Sequence, residues 1–310
     1  MSLMFFLQKL LRATLTVWAI VTFVFIILRV SGDAAVEILG VEIGPEAIEA
    51  FRRRWGLDLP IWKQYLIYFG NMLQGDFGIS LIDGRPALEV VFDRVPRTLA
   101  LMLPTTILTI GLGIPAGIYA ALHRNSWIDR GTMAVSVMSF SLPNFVVGIL
   151  LILLFSVTWR ILPTSGSETW KHYIMPVITM STADAAIFAR FSRSAMLEVL
   201  NQPYMRTALA KGIPWHTAVR RHAVPNTAIP IVTIAGFFIG SMIAGGVITE
   251  NVFAWPGVGR LLVSAVGYRD TAVVQAIVIL IAVTMVTTNL VIDVLYGWLD
   301  PRVRSLRAGD

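Results

Sequence analysis

The chain is organised around apolar stretches long enough to cross a bilayer, at roughly residues 11–30, 98–122, 132–159, 173–197, 228–250 and 272–299, since about 20 apolar residues span a hydrocarbon core as a helix. Lipid offers a backbone no hydrogen-bonding partners, so such stretches satisfy their own polar groups internally. The charged residues that remain are clustered between them. The chain is 56% hydrophobic and 14% charged, with a mean hydropathy of +0.72. A soluble domain carries about 25% charge. An all-α polytopic membrane protein with six transmembrane helices is therefore expected.

The first stretch follows Lys9 and Arg12, as a secretory signal would. Its apolar core from Ala13 to Leu28 is longer than a signal's and lacks a small-x-small exit, which predicts a retained helix. Basic residues orient the set. Lys9, Arg12, Arg124, Arg130, Arg190, Arg193, Arg206, Lys211, Arg220, Arg221, Arg302, Arg304 and Arg307 all fall on one side. The short loops opposite hold Arg160 and Lys171, then Arg260 and Arg269. By the positive-inside rule both termini are expected in the cytoplasm, and the net charge of +6 reflects topology rather than nucleic-acid binding.

Several chemistries find no residues to carry them. The chain has no cysteine, which removes disulfides, thiol nucleophiles and Cys-ligated metals. It has no Gly-rich phosphate loop, so it is not expected to bind ATP. His123, His172, His216 and His222 are scattered without metal-ligand spacing, and neither a His-Glu-x-x-His helix nor a Gly-x-Ser-x-Gly elbow occurs. No catalytic, cofactor-binding or metal-binding residue is expected in this chain.

Acids within spans are costly and call for a role. Asp184 sits in the fourth stretch beside the small residues Ala183, Ala185 and Ala186, without a basic residue one turn away. It is expected either to face a translocation path or to pair across helices. Asp293 shares a face with Asn289 near the inner end of the sixth stretch, where a structural bond to a neighbouring helix is expected. Gly113 and Gly117, and Gly236, Gly240 and Ala244 continuing into Gly245-Gly246, recur at a spacing that lets helix backbones approach. They serve either simple packing or a path along which helices slide. Pro104, Pro115, Pro143 and Pro176 are expected to bend their spans.

Two polar segments break the pattern. Residues 31–97 are too polar to span. Ala47, Ile48, Phe51 and Trp55 share one helical face, and so do Trp62, Tyr65, Leu66, Phe69 and Leu73, with Gly56 and Pro60 as punctuation. This predicts a small helical cap at the membrane interface, anchored by its aromatic residues and either passively packed or available to a soluble partner. The second segment, 198–227, starts a short helix at Pro203, breaks at Gly212 and leaves at Pro225. Proline suits a first helical turn and glycine a helix end. The positive-inside rule accounts for its arginines but not for this punctuation. The segment reads as a stiff lever on which another protein could push.

That segment resembles the cytoplasmic coupling loop of ABC-importer permeases, a Glu-Ala-Ala, three residues, Gly, nine residues, apolar-x-Leu-Pro pattern. Gly212, the gap that follows it and Val224-Pro225 keep the register; Arg206-Thr207-Ala208 stands in place of Glu-Ala-Ala and His222 in place of the apolar residue. The resemblance extends to Arg54-Trp55-Gly56-Leu57-Asp58-Leu59-Pro60, Gln64-Tyr65, Gly75-Asp76-Phe77-Gly78-Ile79-Ser80 and Arg94-Val95-Pro96-Arg97-Thr98. It continues through Glu250 to Arg260, Asp293-Val294-Leu295-Tyr296 and Asp300-Pro301-Arg302. Together these are similar to the dipeptide/oligopeptide/nickel family, in particular to the first permease type with the larger outward domain.

The resemblance implies a type I permease fold: 1–30 N-terminus and first helix, 31–97 a helical periplasmic insertion, 98–299 the permease core with coupling loop 198–227, and 300–310 a cytoplasmic tail. It implies a second homologous permease, two ATPase subunits carrying ATP and Mg, a periplasmic or lipid-anchored solute-binding protein, and a bacterial inner-membrane location. Arg206, Thr207, Ala208, Lys211, Gly212 and Pro225 are the expected ATPase contacts, with Ala208 facing the ATPase groove. Asp184 is expected at the translocation path, and Glu250, Trp255, Pro256 and Gly257 at an outer gate or docking rim, with Trp255 wedged at the interface. The expected solute is a di- or oligopeptide; nickel, glutathione or another small solute is the alternative. An ion-driven secondary transporter would need more midplane ionisable residues than Asp184, and an intramembrane enzyme would need a nucleophile and base.

Overall fold

The structure, a computed structural model, describes residues 3–30, 44–54, 58–244 and 246–299. Trp55, Gly56, Gly245, the 300–310 tail and the side chain of Asp293 lie outside the described residues. Helix α1 (Leu3–Val30) leads to two short helices, α2 (Pro45–Arg54) and α3 (Ile61–Leu73), and then to α4 (Ala87–Leu122). Helices α5 (Trp127–Ser141) and α6 (Asn144–Leu151) follow, the latter running into a π-helical turn, Ile152–Thr158. Next come α7 (Lys171–Leu200), α8 (Pro203–Ala210), α9 (Trp215–Ala218), a second π turn (Val219–Ala223) and α10 (Val224–Gly240). Short helices α11 (Val247–Val252) and α12 (Val258–Gly267) precede the last span, α13 (Thr271–Leu299).

Among the described residues, five helices are long and apolar enough to cross a membrane, or six if the bent α5–α6 pair is one span. That pair turns through 93°. The cause is local: Pro143 follows Leu142, whose backbone is extended, and the clash with the proline ring keeps the preceding residue out of the helical region. The other prolines behave differently. Pro104 and Pro115 lie inside the unbroken α4, and Pro176 lies inside α7. The fifth span ends at Gly240, before residue 250, because the glycine-rich stretch after it forms turns.

Helix α4 has 36 residues, about 54 Å at 1.5 Å per residue, well beyond a hydrocarbon core of about 30 Å. It starts at Ala87 and not at 98. Hydropathy places the boundary at 98 because Glu89, Asp93, Arg94 and Arg97 are polar, but the helix continues beyond lipid by burying Ala87, Val90 and Val91 against Val258, Val273 and Ile277. The polar connection before it is clipped to the last span. Gly75 and Gly78 adopt positive φ (79° and 87°) in the turns, and Asp270 at the start of α13 accepts from Ser80 Oγ at 2.6 Å and the Leu81 amide at 3.1 Å.

Helix α3 packs across α1. Tyr65 meets Phe25 edge-on at 5.3 Å and shares a hydrogen bond with Thr22 at 2.8 Å, while Trp62, Leu66 and Leu73 stay exposed. The sequence-predicted face is therefore split, with Gln64 buried in place of Leu66.

The spine of the bundle is the α4–α7 contact. A Cβ on Gly113 would lie 2.6 Å from the Ala185 carbonyl oxygen, and one on Gly117 2.1 Å from that of Ala189. Gly236 and Gly240 of α10 instead make room for the side chains of Ile292 and Thr288 of α13. These small residues pack helices together. We expect Gly117→Ala to destabilise the purified protein by roughly 1–3 kcal/mol, since backbone on one helix must retreat from backbone on the other. Gly111→Ala, where nothing lies within 4 Å, should leave the thermal unfolding curve in place.

Candidate functional site

At one end of the bundle, α8 is built as a rigid platform. Pro203 occupies its first turn, where a missing N–H leaves no bond unmade. Its far end closes with Gly212 at φ 79°, the Gly212 amide donating to the Leu209 carbonyl at 2.9 Å and the Ile213 amide to that of Ala208 at 3.2 Å. This paired closure is a Schellman motif, which needs a left-handed residue and so favours glycine. Met205 and Ala208 are buried with Ala121 of α4, Met196 of α7 and Ala218, Val219 and Ala223. Ala208 therefore faces inward, contrary to the expected partner contact: its small size lets α8 lie close to the ends of α4 and α7. The exposed side presents Arg206, Thr207 and Lys211, with Trp215 nearby. Pro225 is exposed in the first turn of α10, directly after the π turn. Its missing N–H frees a carbonyl one turn back, which a wider turn accommodates.

A second brace at this end was not foreseen. Arg193 grips Asp129 with both arms of its guanidinium, through Nε to Oδ1 and through Nη2 to Oδ2 at 2.7 Å. The Asn125 amide adds a bond to Asp129 Oδ2 at 2.9 Å, and Ser126 caps the helix by accepting from the Asp129 amide at 3.3 Å. Two-armed contacts of this kind fix orientation as well as distance, and here they tie α5 to α7 one turn from Met196. In the sequence Arg193 marks only the orientation of the chain; the Ser126-x-x-Asp129 spacing of a helix start is the available signal.

At the opposite end, Glu250 is fully buried. Its carboxylate accepts from Thr98 Oγ1 at 2.8 Å and from the Arg260 amide at 3.0 Å, while Thr98 Oγ1 accepts from the Val258 amide at 2.8 Å. Burial pushes the Glu250 carboxyl above its ordinary range, and hydrogen bonds from Thr98, Arg260 and Gly259 oppose that rise. Gly257 has ordinary extended backbone; its glycine is required by space, since a Cβ would lie 2.2 Å from Glu250 Oε1. Trp255 is also fully buried, donating from Nε1 to the Arg97 carbonyl at 2.9 Å and meeting Tyr173 edge-on at 4.6 Å. The expected interfacial wedge is thus a core residue. Glu250, Trp255 and Gly257 form an internal clamp between α4 and the α11–α12 turn, and the turn exposes Arg260 instead.

Asp184 is half-buried on α7 and makes no side-chain hydrogen bond or ion pair among the described residues. It shares a face with Met180 and Phe188. Met180 packs in a cluster with Met242, and Phe188 lies edge-on to Phe238 at 5.6 Å, so Asp184 sits between two layers that join α7 to the α10 side. No group of His, Asp or Glu among the described residues could hold a metal ion.

Comparison with known proteins gives this geometry a setting. Residues 113–305 match the family described as binding-protein-dependent transport system inner membrane component, and residues 2–102 match its N-terminal family. The glutathione transport system permease protein GsiC of Escherichia coli (strain K12) is 41% identical over 291 residues, covering 94% of this chain and 95% of that protein. GsiC of Shigella flexneri serotype 5b (strain 8401) is 40% identical over the same length. A chain of the inward-facing MetNI methionine ABC transporter superposes with a TM-score of 0.57 at 17% identity, covering 68% of this chain and 96% of that one.

Removing the Glu250 carboxylate should loosen the clamp. Glu250→Ala leaves the Thr98 hydroxyl and the Gly259 and Arg260 amides without their acceptor, a loss of roughly 1–3 kcal/mol or more. Glu250→Gln, which keeps the volume and one acceptor oxygen, should lose less. Thermal unfolding of the purified variants checks the order; equal stability of Glu250→Ala and the parent protein would contradict it.

Proposed function

We propose that this chain, which belongs to the family of binding-protein-dependent transport system inner membrane components and is a permease subunit of an ABC importer, passes small peptides across the membrane. Its fold is that of a type I ABC importer permease, and it is multi-pass. ATP hydrolysis belongs to a separate subunit, so the chain is not itself an enzyme. An importer permease of this family works with a partner permease, an ATPase and a binding protein.

The finer reading is ours. Glutathione is a tripeptide, and similarity along nearly the whole chain to glutathione permeases makes it the first solute to test among peptides. The partners are a second homologous permease, two cytoplasmic ATPases that hold ATP and Mg, and a periplasmic or lipid-anchored binding protein. Both termini lie in the cytoplasm of a bacterium, which puts α8 on the cytoplasmic face and the α11–α12 turn outside. The single observation that carries the coupling assignment is α8 itself. It is anchored from within by Met205 and Ala208 and closed at Gly212, and its exposed side offers Arg206, Thr207 and Lys211. Closure of the ATPases would push on that side, and the buried side would pass the movement to the ends of α4 and α7. Alternation between inward- and outward-facing arrangements follows from a bundle with two packings.

Vesicles containing the assembled transporter and its binding protein test this directly. Uptake of labelled glutathione or a dipeptide should require ATP; uptake driven by an ion gradient in the absence of ATP would overturn it. Gly212→Pro forbids the positive φ and removes the amide that caps α8. We expect ATP hydrolysis to continue in that variant while uptake falls at least about tenfold, the loss expected of a contact that transmits 1.4 kcal/mol or more.

Asp184, unpaired among the described residues, is proposed to line the path and meet the amino group of the solute. Asp184→Asn should slow uptake of amino-terminal solutes while sparing assembly. Failure to assemble would make it a structural residue, and unchanged uptake of every solute would remove it from the path.

A further inference from the structure

A cleft of about 360 Å³ opens at the clamp end, walled by the turn at residues 80–83, the first turns of α4, the Pro256–Gly257 turn and α12. Its formal charges balance, but its acids leave its arginines unpaired. Asp83 pairs with Arg85 at 3.6 Å, and Asp93, next to Arg94, pairs with the same Arg85 at 2.9 Å. Asp270 is buried and accepts from Ser80 and Leu81. Arg94, half-buried in the cleft, makes no hydrogen bond or ion pair among the described residues. Arg260 donates from Nη1 to the Ala254 carbonyl at 2.5 Å and meets no carboxylate among them. The cleft therefore holds two guanidinium groups whose fork geometry suits a carboxylate, with Tyr268, 71% exposed, beside them.

Its position limits what can enter. Arg94 lies one turn before Thr98, where the long apolar run of α4 begins, so the cleft opens just beyond the hydrocarbon. A volume of about 360 Å³ admits one or two side chains of a protein loop rather than a folded surface. The lining also contains the Asp83 carboxylate, which only accepts, and the hydroxyls of Ser264 and Tyr268, which accept as well as donate. A lipid phosphodiester brings acceptors alone and would face Asp83 unfavourably. A protein loop brings a carboxylate for the arginines together with backbone N–H groups for those acceptors.

Resting on the importer reading above, we propose that this cleft seats an acidic side chain, Asp or Glu, carried on a loop of the solute-binding protein, with Arg94 as its principal contact and Arg260 at the rim. The seat adjoins the clamp. Gly257 forms part of the cleft wall and lies against the Glu250 carboxylate, which Thr98 ties to α4. A loop pressed into the cleft thus bears on the turn whose packing fixes the outer ends of α4 and α12.

The test uses the complete transporter in nanodiscs and measures the Kd of its binding protein at low salt and at physiological salt. The parent complex should bind more weakly as salt rises. Arg94→Glu should weaken binding by at least about tenfold and abolish most of that salt dependence, while Arg94→Lys, which keeps the charge but not the fork, should fall between. Because a charge reversal can disturb assembly, the acidic residue of the binding protein crosslinked to a photoreactive group at position 268 is then changed to Lys. Recovery of binding to Arg94→Glu by that second change establishes the seat. An unchanged Kd for Arg94→Glu overturns the cleft proposal and leaves the importer reading standing, as does a weakening that no acid-to-Lys change recovers. Loss of co-purified anionic lipid in Arg94→Glu with an unchanged Kd identifies a lipid headgroup as the occupant and overturns it as well. Failure of the parent complex to bind a binding protein in any state would overturn the importer reading itself.

Discussion

The rest of the structure hangs on the close approach of α4 and α7. In lipid no apolar driving force holds one helix to another, so contact depends on how nearly two backbones can meet. Gly113 and Gly117 leave no room for a Cβ against Ala185 and Ala189, so the two helices meet backbone to backbone. Each end of that pair then carries a different device. Ala121 and Met196, near the ends of α4 and α7 respectively, receive the buried side of α8. At the other end, Thr98 of α4 reaches the Glu250 carboxylate, and Leu101 and Met180 pack with Trp255. The α4–α7 pair thus joins one device to the other.

Both devices share a physical logic. Polar and small residues sit where helices end, because there the backbone has unpaired groups to satisfy and bulk would hold the elements apart. Glu250 supplies an acceptor for the first amides of α12, Asp270 does so for α13, and Asp129 joins a capped helix start to Arg193. Gly212 provides the one conformation that closes α8. The motifs that carry the family resemblance are therefore mostly joints.

This division explains what could be read from the chain and what could not. The spans were legible because hydropathy over about 20 residues reports lipid contact directly. The helix at Pro203 and its stop at Gly212 were legible because proline and glycine act through local backbone conformation, without reference to the rest of the fold. Direction was not. Ala208 looked like a contact for a partner, and Trp255 like an interfacial anchor, but a small residue and an aromatic residue suit a core equally well, and sequence periodicity over an eight-residue helix cannot choose a side. Long-range pairs were invisible for a different reason: Thr98 with Glu250, Ser80 with Asp270 and Asp129 with Arg193 meet across distances in sequence that no local pattern encodes. The start of α4 was misplaced because a charged helical turn packed on protein has the same hydropathy as a loop in water.

Whether α8 meets an ATPase with one side while its other side is fixed to the permease is tested by a cysteine crosslinking scan of α8 in the assembled, nucleotide-free transporter. The chain has no native cysteine, so each position reports alone. Strong crosslinks to the ATPase subunit are expected from cysteines at Arg206 and Lys211, and none from cysteines at Met205 and Ala208. A uniform pattern around the helix, or crosslinks confined to the Met205 and Ala208 positions, would contradict it.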